Sequence, residues 1–480
     1  MTTAGTVPLE TSAGTDGWRP AAHFAARDTW LNDPNGLLFH DGVYHLYFQN
    51  NPHGSTWGNI SWGHATSTDL VTWHEQPVAI EHTDEEMVFS GSAVVDHRNT
   101  AGFAGPGETA LVAVYTSASH TPEGRPRQAQ SLAYSLDGGY EWTRYTENPV
   151  LDIGSGEFRD PKVFWYGGDD GHWVMVVVEA ADRRVAVYTS PDLRSWTRTS
   201  EFGPAHATGG VWECPDLFEL PVEGTADSRW VMIVSLNPGA IAGGSGTQYF
   251  IGDFDGERFT PERLSASEDL ADFDWFDFGR DCYAAVSFSN VPDGRRLMVG
   301  WASNWEYAEV TPTGPWRSAM TLVREISLAR DPDGRHRLRQ TPILPTDAPR
   351  LVLAEDTLER TADEASGLLV FSTTVADDGS ATFVLDSGPE AAPGTGLRLT
   401  VDAAGGHVVC DRTRTGGPDV HPAYPSVDEA PLPTRPSHDD VAVEVLVDGS
   451  VVEISVDGGL VTFTELVFPE RPYRRLTRQN

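Results

Sequence analysis

The chain has 480 residues, too many for one ordinary domain and suited to two or three. Its 70 acidic against 34 basic residues give a net charge of −36, which repels phosphate backbones and anionic lipid and so argues against nucleic-acid and membrane partners. With 39% hydrophobic and 10% aromatic residues a packed core is within reach, while no stretch approaches the roughly eighteen apolar residues of a membrane span.

The first thirty residues lack a basic stretch followed by an apolar one. A cytoplasmic protein is therefore expected, the alternative being a secreted one supplied without its leader. Trp30-Leu31-Asn32-Asp33-Pro34-Asn35-Gly36 follows, and Asn, Asp, Pro and Gly all favour turns, so by itself this heptad reads as a turn. Short alternating runs then dominate. Val43 to Phe48, Ala110 to Tyr115, Trp173 to Val178, Trp230 to Val234 and Arg296 to Trp301 predict strands of five or six residues. Gly and Pro, 47 and 33 in number, punctuate them in the manner of an all-β chain. Only Ser265 to Phe273 offers a weak, short helix.

A repeat runs through this region. Ser67-Thr68-Asp69-Leu70-Val71-Thr72-Trp73 returns as Ser135 to Trp142, as Ser190 to Trp196 and, degenerate, as Gly252 to Phe259. Each copy is a strand, a turn built on Asp, then an aromatic. The aromatics lie roughly 55 to 70 residues apart, enough for one four-stranded antiparallel sheet per copy. Four copies and a closing unit predict a five-bladed β-propeller over residues 1–345; an ordinary β-sandwich with similar hairpins is the alternative. Gln340 to Arg350 is Pro-rich and reads as a connector. Beyond it, five period-two segments (Leu368 to Phe371, Ala381 to Leu385, Leu397 to Val401, Val441 to Val447 and Val451 to Val456) predict a C-terminal β-sandwich over residues 346–480, with Pro418 to Asp439 as a long loop.

A propeller gathers the inner strand of every blade around one funnel, so polar clusters recurring at blade spacing are candidates for a shared site. Asp33, Phe89-Ser90-Gly91-Ser92, Arg159-Asp160-Pro161, Trp212-Glu213-Cys214-Pro215-Asp216 and Asp277 to Asp281 follow that rhythm. Each has a plainer reading: Asp33 as a turn residue, Arg159-Asp160 as an ion pair, Asp277 and Asp281 as structural carboxylates. Glu213, beside Trp212, is costly to bury charged, and its pKa is expected to rise. The three cysteines, Cys214, Cys282 and Cys410, are odd in number and widely spaced, and spell neither a disulfide framework nor a zinc knuckle. Asp253 to Gly256 lacks the later acidic ligand of a calcium loop, and Gly243 to Thr247 lacks the Lys of a phosphate loop. No metal or organic cofactor is expected.

Taken in order, Trp30 to Gly36, Phe89 to Ser92, Phe158 to Pro161, Trp212 to Asp216, Gly300 to Tyr307 and Pro315-Trp316-Arg317 resemble the sequence blocks of glycoside hydrolase family 32, the invertases, inulinases and levanases, with the last two blocks closest to the exo-acting members. The resemblance covers residues 20–345 strongly and the C-terminal region more loosely. It implies a propeller followed by a sandwich and a retaining β-fructofuranosidase acting on fructans, fructo-oligosaccharides or sucrose. It further implies Asp33 as nucleophile, Glu213 as general acid and base, and Asp160 as the carboxylate that holds fructosyl hydroxyls. Asn32, Gln49, Ser90 and Arg159 match positions suited to hydroxyl recognition, and Trp57, Phe89 and Trp305 offer flat faces to a sugar ring. A fructosyltransferase and a non-catalytic carbohydrate-binding propeller are the alternatives. An inverting propeller glycosidase is a third, with wider carboxyl spacing.

Overall fold

The computed structural model describes residues 16–354, 359–362, 367–433 and 439–479. The N-terminal segment on which the leader question turns therefore lies largely outside the described residues.

Five separate antiparallel sheets come first, each contiguous in sequence. Blade I comprises β1 (Trp30–His40), β2 (Val43–Asn51), β3 (Ser61–Ser67) and β4 (His74–Ile80). Blade II comprises β5 (Met87–Asp96), β6 (Ala110–His120), β7 (Pro126–Ser135) and β8 (Thr143–Arg144). Blade III comprises β9 (Phe158–Tyr166), β10 (His172–Glu179), β11 (Arg184–Ser190) and β12 (Thr197–Phe202). Blade IV comprises β13 (Val211–Pro221), β14 (Ser228–Asn237), β15 (Gly246–Phe254) and β16 (Phe259–Pro261). Blade V comprises β17 (Tyr283–Ser287), β18 (Arg296–Ala302), β19 (Ala319–Met320), β20 (Arg324–Arg330) and β21 (His336–Pro342). The first strands β1, β5, β9, β13 and β17 touch one another in that order, and β17 touches β1, so the ring closes. Among the described residues no strand is exchanged between blades I and V. Their seam is made by Leu31 N to Arg317 O (3.2 Å), Phe39 N to Ser289 O (3.0 Å) and Ser289 N to Leu37 O (2.9 Å).

The Ser-x-Asp repeat builds the hairpin between the third and fourth strands of blades I to III. Ser67, Ser135 and Ser190 donate to Asp69, Asp137 and Asp192, and each Asp accepts backbone N–H groups of its own turn. This is the local side-chain capping that makes Asp a turn residue. In blade IV, Asp255 accepts from Glu257 N and Arg258 N in the same way. The weak helix expected near Ser265 is only a short 3-10 turn, Leu270–Asp272, capped by Asp269.

The C-terminal part packs two sheets face to face. The strands, in chain order, are β22 (Arg350–Val352), β23 (Glu359–Thr361), β24 (Leu369–Val375), β25 (Ser380–Asp386), β26 (Leu397–Asp402), β27 (His407–Asp411), β28 (Val427–Pro431), β29 (Val441–Asp448), β30 (Val451–Val456), β31 (Val461–Leu466) and β32 (Arg475–Gln479). One sheet runs β22-β24-β29-β30-β31 and the other β23-β32-β25-β26-β27-β28. Leu369, Phe371, Phe383, Leu385, Val401 and Val445 interdigitate between them. The stretch Pro418 to Asp439, expected as a loop, carries β28, which completes the edge of the second sheet.

The sandwich is bound to blade V by buried charge. Arg324 pairs with Asp277 at 2.9 Å and with Glu453 at 3.2 Å, and donates to Thr464. Arg412 bonds Asp281 and the Tyr307 hydroxyl and lies 3.1 Å from Glu465. Asp277 and Asp281 therefore face the domain junction and not the funnel, which corrects their grouping with the site clusters. Paired, hydrogen-bonded carboxylates of this kind are what a buried junction requires.

The segment before blade I is tied to the same sandwich. Ala21, Ala22 and His23 donate their backbone N–H groups to Asp448, and the His23 ring lies between Asp448 (2.8 Å) and Glu453 (3.3 Å). Burial opposes a charge on His23, yet the two carboxylates outweigh it and raise its pKa to about 9. A His raised on folding contributes stability that is fully present below its unfolded value, near 6.5, and is lost as pH climbs through about 9. The linkage is on the order of 3 kcal/mol. Denaturant midpoints should therefore fall between pH 6.5 and 9, and His23→Gln should flatten that slope; an unchanged slope would dismiss the linkage.

Candidate active site

The same irregularity occurs in every inner strand, and a second time in β1. Two residues of the inner strand oppose one of the second strand at Asn32-Asp33, Phe89-Ser90, Asp160-Pro161, Cys214-Pro215 and Ala284-Ala285. Such a bulge bends the strand and re-aims its side chains. Asp160, Cys214 and Ala284 adopt positive φ (66°, 46° and 54°) at these bulges. For non-glycine residues that costs roughly 1–2 kcal/mol each, held in place by the ladder on either side. The heptad Trp30 to Gly36 is thus a doubly bulged strand, not a turn. Gly36, at φ 54°, sits at the second bulge, and a Cβ there would meet the Tyr47 ring at 2.6 Å and Trp62 at 2.8 Å.

The five bulges point their neighbours into one place. Asp33 and Ser90 occupy the second bulge position of blades I and II, and Ser90 Oγ donates to Asp33 Oδ2 at 2.7 Å. Asp160 occupies the first position of blade III. It accepts Cys214 N at 2.9 Å, and its own N–H donates to Thr116 Oγ1 at 2.9 Å. Cys214 Sγ lies 3.7 Å from Asp33 Oδ2 and 3.8 Å from Asp160 Oδ2, so one thiol touches both carboxyls. Glu213 stands just before the blade IV bulge. Arg159 Nε donates to its Oε1 at 3.1 Å, and the Tyr283 hydroxyl donates to its Oε2. Arg159 is itself held by Glu157 (2.7 Å) and Gln128 (3.2 Å). Asp33 Oδ1 is enclosed and has no hydrogen-bond partner among the described residues.

Three carboxyls and one guanidinium share this space. Burial is the largest influence on Asp33 and raises its pKa, as does the charge of Glu213, against donation from Ser90, Asn32 and Cys214. Asp160 is also raised, first by burial; Arg159 and the Cys214 amide resist, while Glu213 and Asp33 add to the rise. Burial pushes the Cys214 thiol and the Tyr283 phenol well up, so both are neutral donors at ordinary pH. A cluster that excludes some of its own negative charge is one that can hold and move a proton.

Family models for the N-terminal and C-terminal domains of glycosyl hydrolases family 32 match residues 23–342 and 346–479. The chain belongs to glycosyl hydrolase family 32. It is 41% identical over 472 residues to the levanase of Bacillus subtilis (strain 168), spanning 96% of this chain and 68% of that one. It is 40% identical over 488 residues to an extracellular exo-inulinase of Aspergillus niger, spanning 94% and 90%. Among solved structures it is similar to exo-inulinase from Aspergillus awamori, with a TM-score of 0.82, 37% identity and 96% and 95% coverage. It is equally similar to a fructofuranosidase from Schwanniomyces occidentalis complexed with fructose, with a TM-score of 0.82, 33% identity and 98% and 97% coverage.

Around the carboxyls of this family 32 glycoside hydrolase, the other expected residues divide into two groups. Phe89 is half-buried, and Trp57, 41% exposed, meets it edge to face at 6.1 Å. Trp305 is half-buried and packs on Trp30 (5.9 Å) and Trp301 (4.8 Å), while Trp301 itself is wholly in the core. Asn32 and Gln49 lie behind this layer. Asn32 Oδ1 accepts Trp30 Nε1 at 2.7 Å, and Gln49 Nε2 donates to Asn35 Oδ1 and Val88 O, bracing β1 against β5. Trp212, expected to wall Glu213, instead turns into the core beside Phe202 and Phe250, its Nε1 on Ala207 O. Tyr283 takes the fifth place in the ring. No carboxylate or repeat marker drew attention to it; only its place beside the fifth bulge identifies it.

Ser90 offers a clean check on this arrangement. Its donation favours the anionic form of Asp33, so Ser90→Ala should raise the Asp33 pKa further. Loss of a hydrogen bond to a charged group is worth about 1.5–3 kcal/mol, or roughly 10- to 100-fold in kcat/KM. The acidic limb of the kcat/KM profile should move to higher pH; an unmoved limb would separate Ser90 from the ionisation of Asp33.

Proposed function

We propose that this chain is an exo-acting β-fructofuranosidase, removing terminal β-fructosyl units from fructans such as levan and inulin, from fructo-oligosaccharides and from sucrose. The observation that carries the site assignment is the convergence of Asp33, Asp160 and Glu213 at one end of the ring, each with its own main donor: Ser90, the Cys214 amide and Arg159.

The chemistry that fits these partners is double displacement with retention. Asp33, whose Oδ1 has no competing donor, attacks the anomeric carbon of the fructosyl unit. Glu213 gives its proton to the departing oxygen, then accepts one from the water that releases the fructosyl ester. Asp160 accepts the ring hydroxyls while positive charge develops. Attack requires Asp33 ionised and the shared proton on Glu213. Burial works against the first condition, and hydroxyls donating to Asp33 and Asp160 oppose burial, because a hydrogen bond to a carboxylate favours its charged form. Trp57, Phe89 and Trp305 supply apolar faces at the mouth.

A product time course on sucrose, inulin and levan tests this. Fructose alone should appear from the polymers at the earliest times. A ladder of oligosaccharides would indicate internal cleavage, growth of longer chains at high sucrose would indicate a transferase, and binding without sugar release would indicate a lectin-like propeller.

A further inference from the structure

The carboxyl cluster uses only the beginnings of the inner strands, and the channel continues past it. Directly behind Asp160 and Cys214 is a cavity of about 20 Å³, room for roughly one water. Lys162 lines this cavity and also a second one, about 380 Å³, formed by later residues of β5, β9, β13 and β17 and opening at the other end of the ring. Lys162 therefore stands between the active site and a far mouth to which the proposed hydrolysis assigns no role.

The charges in this throat do not balance. Lys162 Nζ donates to Asp216 Oδ2 (3.0 Å) and to Ser287 through both its carbonyl and its Oγ. Asp216 already has three donors: besides Lys162, Oδ2 accepts Ser287 N at 2.7 Å, and Oδ1 accepts Leu217 N at 2.8 Å. Arg296 stands next to them at the start of β18. Its guanidinium lies over the Phe218 ring at 4.8 Å, and among the described residues it has one protein acceptor, Ser287 Oγ at 3.3 Å. Two cations thus share one carboxylate, which is bonded to Lys162 and not to Arg296. The remaining titratable groups of the mouth do not compensate. His97 is exposed and bonds Asn290 at 3.2 Å, and Glu219 is exposed and engaged by Ser228. Burial lowers the pKa of Arg296, and the charge of Asp216 only partly opposes it. On a chain of net charge −36, an under-paired guanidinium lining an open cavity is out of keeping with its surroundings.

We infer that the far mouth of the channel is a binding site for a small oxyanion, a carboxylate or phosphate group gripped by the planar fork of Arg296 with Lys162 behind it. Guanidinium presents paired donors that match the two oxygens of such a group. Trp165 and Trp230 line the outer part of the cavity and give an organic carboxylate an apolar flank. The site stands apart from fructoside binding and does not depend on the proposed reaction.

The test is calorimetric titration of the whole protein with inorganic phosphate and, separately, with citrate, against chloride at a matched ionic strength of about 0.15 M, where the Debye length is about 8 Å. Saturable one-to-one binding of either oxyanion is expected, and the one that binds identifies the source. Arg296→Gln should weaken it at least tenfold. Arg296→Lys keeps the charge but loses the fork, so it should weaken binding tenfold too and serves if the first variant is unstable. Absence of saturable binding by both oxyanions, or equal affinity in either variant, overturns the site.

Discussion

Asp33→Asn should lower kcat on sucrose, inulin and levan by on the order of 10⁴-fold or more, with the melting temperature nearly unchanged. Asn is the same size and keeps an oxygen for Ser90 Oγ, so the bulge at Asn32-Asp33 has no reason to rearrange. What disappears is the anionic oxygen: a carboxamide cannot form the glycosyl ester on which double displacement depends. Steady-state turnover with a thermal melt on the same preparation decides the matter. Activity within tenfold of the parent would remove Asp33 from the nucleophile role.

Glu213→Gln should cost about 10²- to 10⁴-fold on natural fructosides, the usual worth of a positioned general acid. The loss should depend on the leaving group. An aryl fructoside whose phenolate departs without help needs little protonation, so its first step should be nearly spared and an ester on Asp33 should accumulate, since water then lacks its base. A small external nucleophile such as azide, which needs no base, should restore turnover on that substrate. Equal losses on poor and good leaving groups would mean that Glu213 shapes the site through Arg159 and Tyr283 without transferring a proton.

The parts of this molecule that were legible in sequence share a physical cause. All five strands predicted in the propeller, such as Trp173 to Val178, are the second strands of their blades. A second strand is buried between neighbouring blades, so it carries a predominantly apolar run. Outer strands such as β12, mostly exposed, carry no such signal. Inner strands are interrupted by the residues of the funnel, which is why Asn32 to Gly36 looked like a turn. The bulges themselves are set by pairing with a strand some 15 to 30 residues away, a non-local fact that period-two patterning does not contain. Asp33, Ser90, Asp160 and Glu213 were found because polar residues at blade spacing have one place to meet. The same rhythm misplaced Asp277 and Asp281, since a buried carboxylate at a domain junction leaves the same trace as one in a funnel, and it passed over Tyr283, whose phenol resembles any core aromatic.

The two charged ties of the sandwich have a mechanical meaning. One holds the segment leading into blade I, through His23 and Asp448; the other holds blade V, through Arg324 and Arg412. They fall on opposite sides of the seam where the propeller closes without an exchanged strand. The sandwich is thus a clasp on a hoop whose own ends are joined by only a few backbone hydrogen bonds. Because Asp33 lies on one side of that seam and Tyr283 on the other, the clasp also spans the join in the carboxyl cluster.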